Sequence, residues 1–160
     1  MEIIKKIKKL FYKNWTTDLA ADVTFYPDKI IVQTFDFTDG PSIGSTKFTI
    51  LAVDTPPNIL GQTLRKHFNL TGHGLEYKAN KDAWNDFKKT AGFKTNKSTY
   101  QDARKIICRQ SITEIVLTPT ENTYNTGFDH RPDLDIKLPL NTSDLDLGIQ
   151  ILKARELSNG

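Results

Sequence analysis

The sequence predicts an α+β fold in which helices pack on a mainly antiparallel sheet. Three observations predict it. Lys29 to Phe37 (KIIVQTFDF) is rich in β-branched and aromatic residues and reads as a strand. A unit of alternating apolar strand, Thr or Ser cap and amphipathic helix is written twice, from Phe48 to Thr71 and from Asp135 to Ser158. An offset of 87 places Leu51 on Leu138, Thr55 on Thr142, Leu60-Gly61 on Leu147-Gly148 and Leu64 on Ile151. Between the copies lies a basic insert with helical spacing, giving the order helix, β-β-α, helical insert, β-β-α. The 160 residues fall within the usual size of one domain, and the whole chain, 1–160, is read as one.

Each element has its own grounds. Ile3, Ile4, Ile7, Leu10 and Phe11 recur at helical spacing with lysines opposite, predicting an N-terminal helix docked on the body. Asp39-Gly40-Pro41 ends the first strand, and Lys47 to Val53 forms the second. Thr55 is placed to cap the next helix, with Pro56 at the first helical position, where the missing N–H costs nothing. Leu60, Leu64 and Phe68 would be its buried face, and Thr71-Gly72-His73-Gly74 its end. Trp84 and Phe87 stand three apart, as one helix face requires, and Gly92 stops that helix. Ser98 with Gln101 forms a capping-box pattern, predicting a further helix with Tyr100, Ala103, Ile106 and Ile107 inward. Glu114 to Leu117 reads as a strand, Glu121 to Arg131 as a polar loop, and Leu134 to Leu140 as the last strand. Ser143 or Thr142 caps the last helix. A glycine inside a helix costs about 1 kcal/mol against alanine. Gly61 and Gly148, at one point of the repeat, therefore predict equivalent packing positions and a close approach of helix to sheet.

Net charge is +3, unevenly placed. Residues 1–15 carry five lysines against one glutamate, and residues 111–147 carry seven acidic residues against two basic ones. Such asymmetry bears on a partner's charge more than on the fold. The single cysteine, Cys108, excludes an internal disulfide and suits a reducing compartment. No apolar run approaches the roughly 18–20 residues of a membrane span, and the first residues lack a signal-peptide core, so a cytoplasmic location is expected.

Chemistry-bearing sets are sparse. His67, His73 and Cys108 lack the close ligand pairing of zinc sites, and Cys108 after Ile106-Ile107 reads as a buried thiol at the inner end of a helix. Phosphate-binding loops, nucleophile elbows and dinucleotide fingerprints are absent. Asp133 and Asp135 would share one strand face, and with His130 they define a candidate hydrolase site. Lys78, Lys81, Lys88, Lys89, Lys94 and Lys97 near Trp84, Phe87 and Phe93 define a candidate nucleic-acid surface. Both stand as alternatives to a binding protein that performs no chemistry and needs neither cofactor nor metal.

Gly92-Phe93-Lys94-Thr95-Asn96-Lys97-Ser98-Thr99-Tyr100, running on to Lys105 and Cys108, resembles a stretch shared by immunity proteins of bacterial contact-dependent growth inhibition systems. Ile115 to Pro119 and Leu138 to Ile149 resemble that family's strand and closing helix. The resemblance implies a cytoplasmic inhibitor of a cognate toxin, the C-terminal domain of a cell-surface effector and often a nuclease. It implies no catalytic residues, cofactor, membrane contact, small-molecule substrate or direct nucleic-acid contact. The family's contact surfaces differ between members, so the interface is read from the residues themselves. The acidic loop and its following strand are the expected surface: Glu121, Tyr124, Asp129, His130, Asp133 and Asp135. Loops on a rigid sheet carry recognition, and carboxylates can meet the lysines with which a nuclease holds phosphates.

Overall fold

The computed structural model describes residues 16–40, 43–77, 81–124 and 127–160. The helix expected within residues 1–15 lies outside them. Strands β1 (Leu19–Phe25), β2 (Ile30–Asp36) and β3 (Ile43–Leu51) lead into helix α1 (Pro57–Phe68). Helix α2 (Lys81–Thr90) follows. Strands β4 (Arg104–Gln110), β5 (Glu114–Asn122), β6 (Phe128–His130) and β7 (Ile136–Pro139) lead into helix α3 (Asp144–Leu157). The sheet runs β3-β2-β1-β4-β5, and β6 and β7 pair with successive stretches of the outer edge of β5. All these pairings are antiparallel. The α+β class read from the sequence is the one observed.

The repeat is real and larger than the sequence displayed. Each half contains three strands and a helix, β1-β2-β3-α1 and β4-β5-β7-α3, with β6 added in the second, and the halves join where β1 pairs with β4 along seven positions. Besides β6, which lies in the expected polar loop, two strands went unread. LAADVTF carries alanines and an aspartate, which lower its apparent β-propensity, yet all five of its last residues are buried. RKIICRQ, expected as the inner face of a helix, is β4, because the Ser98 region makes only a single 3₁₀ turn, Lys97–Thr99. The β-branched pair Ile106-Ile107 favours a strand, and the two side chains point to opposite faces.

One face of the sheet carries the main core. Ala21, Val23, Ile106, Cys108, Ile115 and Leu117 meet Leu60, Leu64 and Phe68 of α1 and Leu147, Ile151 and Ala154 of α3. Cys108 is therefore a sheet-centre thiol, and burial pushes its pKa up. The close approach at the paired glycines is between the two helices and not between helix and sheet. A Cβ on Gly61 would overlap the carbonyl oxygen of Asp144, and one on Gly148 would overlap that of Pro57. Pro57 and Asp144 sit four residues before the two glycines, so the crossing is reciprocal.

The cap of α1 differs from expectation. Pro56 is the cap residue and Pro57 opens the helix, while the Thr55 hydroxyl donates to the Ala52 carbonyl (2.7 Å). At α3 the expected Ser143 cap is present, its Oγ accepting from the Asp146 N–H (3.0 Å). Ser143→Ala should cost about 1 kcal/mol, and urea unfolding should detect it without a change in slope.

On the opposite face, α2 covers one flank only. Phe87 and Ala91 pack with Phe93 on Ile31, Tyr26 and Phe48. Gly92, at φ +79°, ends the helix as expected. The flank formed by β4, β5 and β7 has no helix over it on this face among the described residues.

Candidate partner-binding face

The uncovered flank is concave. A cavity of about 580 Å³ is floored by Ala20, Phe35, Ile107 and Val116 and walled by Phe37, Arg109, Phe128, His130 and Asp135. A neighbouring cavity of about 440 Å³ lies under α2, lined by Tyr26, Trp84, Phe87, Tyr100 and Gln33. Lys105 and Phe128 line both, and so divide them. Strand alternation produces the floor: Lys105, Ile107 and Arg109 leave β4 on this side, while Ile106 and Cys108 enter the core. Apolar floors with a few placed polar groups are what binding sites share.

The walls are held in place. Arg109 pairs with Asp18 (3.0 Å), and its guanidinium lies 5.5 Å from the Phe37 ring centroid. His73 stacks on Phe37, with ring centroids 5.4 Å apart, and its Nε2 donates to the Asp18 carbonyl (2.6 Å).

Beside the cleft stands a hairpin where the sequence suggested a loop. Glu121 belongs to β5 and Asp129 to β6, directly opposite one another in register. Like charges facing across strands repel. Arg131 stands between the acidic groups, 3.7 Å from Glu121 and 2.9 Å from Asp133. Its hydrogen bonds hold the Asp133 carboxyl below the usual range. Tyr124 sits exposed at the tip with φ +59°, a conformation steadied because its N–H donates to Asn122 Oδ1 (2.9 Å). Asn122 is itself buried, and its Nδ2 donates to the Ala103 carbonyl (3.2 Å).

The six residues expected at the interface thus divide into two groups. His130 and Asp135 line the cleft, whereas Glu121, Asp129 and Asp133 form an acidic rim and Tyr124 crowns the hairpin. The Asp133–Asp135 pair does not form on one strand face. Asp133 lies in a 3₁₀ turn, Pro132–Leu134, and faces Arg131, while Asp135 Oδ1 accepts from the Thr118 hydroxyl (2.6 Å). That arrangement separates the carboxylates which a hydrolase reading needs together. His67, His73 and Cys108 likewise go to three different places, and no cluster of three potential metal ligands forms among the described residues. In the basic insert, Phe87 is buried and Trp84 stacks on it at 5.4 Å, so these rings belong to the packing of α2. Phe35, Phe37, Ile107, Val116, Lys105 and Arg109 were not foreseen. The alternation Lys105, Ile107, Arg109 was the available signal, hidden by reading the segment as a helix.

The family model described as CDI immunity protein matches residues 19–158. A search of curated proteins finds no match. Among solved structures, the chain is similar to a protein of unknown function from Neisseria meningitidis, with 16% identity, TM-score 0.75, and coverage of 91% of this chain and 98% of that one. It is also similar to a chain of a CdiA-CT/CdiI toxin and immunity complex from Yersinia pseudotuberculosis, with 12% identity, TM-score 0.74, and coverage of 90% and 99%. At these identities the likeness is one of fold.

Proposed function

The chain belongs to the CDI immunity protein family, and from that premise we propose that it binds the C-terminal toxin domain of a cognate CdiA-type effector in the cytoplasm. It neutralises that toxin as a stoichiometric inhibitor without turnover. The toxin is a nuclease, and the contact surface is the open sheet flank with its acidic hairpin. The family match carries this reading, because it spans the whole sheet and both crossing helices. The cleft supports it with an apolar floor of roughly the polarity of an interface core, and the rim with carboxylates suited to the cations of a phosphate-binding enzyme.

Co-expression tests the reading. Cells producing the toxin domain encoded beside this chain should grow when the chain is present and die without it, and the two purified proteins should form a stable complex. The protein alone should leave RNA, DNA and ester substrates intact. Cleavage that disappears in Asp135→Ala, or failure to protect, would overturn it. The rim makes a narrower prediction. Glu121→Gln with Asp129→Asn removes two facing carboxylates, so melting should hold or rise slightly while association with a basic toxin slows by roughly tenfold at low salt. The difference should shrink as salt is raised, in stopped-flow traces.

A further inference from the structure

Asp22 lies at the centre of β1, where the register pairs it with Ile107 of β4. Under the twofold relation of the two halves, a carboxylate therefore stands where the other half has isoleucine. It is 1% exposed, and its Oδ2 accepts no hydrogen bond beyond the ion pair with Lys105 Nζ at 3.0 Å. Burial drives its pKa up and Lys105 opposes that rise. The same ammonium lies 4.9 Å from the centroid of the Phe128 ring. It is thus held between a carboxylate and an aromatic ring, each of which attracts cations.

A buried ion pair is poor value for stability, since apolar residues of similar size serve as well or better. The equivalent position of the other half holds one, Ile107. Lys105 and Phe128 also stand at the partition between two cavities, with Asp22 buried behind them. We propose that Asp22 and Phe128 form a cation-receiving site in the toxin interface, filled in the free protein by Lys105 and in the complex by a lysine or arginine side chain of the toxin. The inference rests on the reading that this face binds the toxin. The incoming cation enters through the open cleft, and Lys105, on its flexible four-carbon stem, swings into the cavity under α2, which Gln33, Asn96 and Thr99 line. The buried carboxylate is thus paired both in the free protein and in the complex.

Isothermal titration against the purified toxin domain tests it. Asp22→Asn should weaken binding about 100-fold, as truncating one partner of a buried charge pair does. Lys105→Met removes the competitor and should bind at least as tightly as the parent. Should Lys105→Met fail to fold, the double variant Asp22→Asn/Lys105→Met keeps the volume without a lone charge; it should melt like the parent and bind about 100-fold more weakly. A folded Lys105→Met that loses affinity would overturn the proposal and make Lys105 itself the contact. A double variant that binds as the parent does would overturn it too. Methylguanidinium titrated into the Lys105 variant, followed by NMR, should shift the Phe128 ring signals, and no shift would count against the site even without the toxin. A parent protein that ignores the toxin, while the variant binds methylguanidinium, would sink the proposed function and leave the cation site standing.

Discussion

Gly148→Ala should destabilise the protein by about 3 kcal/mol or more, and Gly61→Ala by a similar amount. The added methyl at either position overlaps a backbone carbonyl on the other helix, Pro57 or Asp144, and a carbonyl cannot rotate away as a side chain can. Relief requires α1 and α3 to separate, which would open the contacts of Leu60, Leu64, Leu147 and Ile151 beneath them. In isolated helices the same substitution stabilises by about 1 kcal/mol, so the sign itself is diagnostic. Thermal denaturation should show a fall of roughly 10 °C, given about 2–4 °C per kcal/mol at this chain length. A rise in melting temperature for either variant would mean that the helices do not cross as described.

Acid should weaken the fold through His67. This side chain is 2% exposed on α1, with Nδ1 2.8 Å from the Thr34 hydroxyl and Nε2 2.8 Å from that of Thr49. Thr34 also donates to the His67 carbonyl (3.0 Å). The network thus assigns a neutral ring in which Nδ1–H donates to Thr34 and Nε2 accepts from Thr49. Burial, with Lys66 and Lys47 nearby, lowers the pKa from 6.5 to about 4. Below 6.5 the unfolded chain takes up a proton that the folded chain refuses until about 4, so stability present above that window is lost on descending through it. Between pH 7.5 and 4 the parent should lose about 3 kcal/mol more than His67→Gln does, by urea unfolding at each pH. Parallel losses in the two proteins would show that His67 carries no such linkage.

What was legible in the sequence followed from patterns with one dominant cause. The duplicated strand and helix were visible because each buries one face and repeats its glycine. The central strands were not, for opposite reasons. β1 contains Asp22, which reads as surface until its ion-pair partner Lys105 is known. β4 follows a capping-box pattern that tertiary pairing with β1 and β5 overrides. With β4 misread, the cleft had no floor in the sequence, and only its rim and two wall residues, His130 and Asp135, could be proposed. Glu121, Asp129 and Asp133 were found because charge is legible without a fold. Phe35 and Val116 were missed because partly exposed apolar residues on a strand look the same as core.

The twofold relation of the halves would, by itself, give the sheet two alike flanks on the face away from α1 and α3. The chain between the halves forms α2, which lies over Ile31 and Phe48 on one flank, while among the described residues no helix lies over the other. A fold with twofold geometry thus presents two unlike surfaces, one closed by its own helix and the other, among the described residues, open.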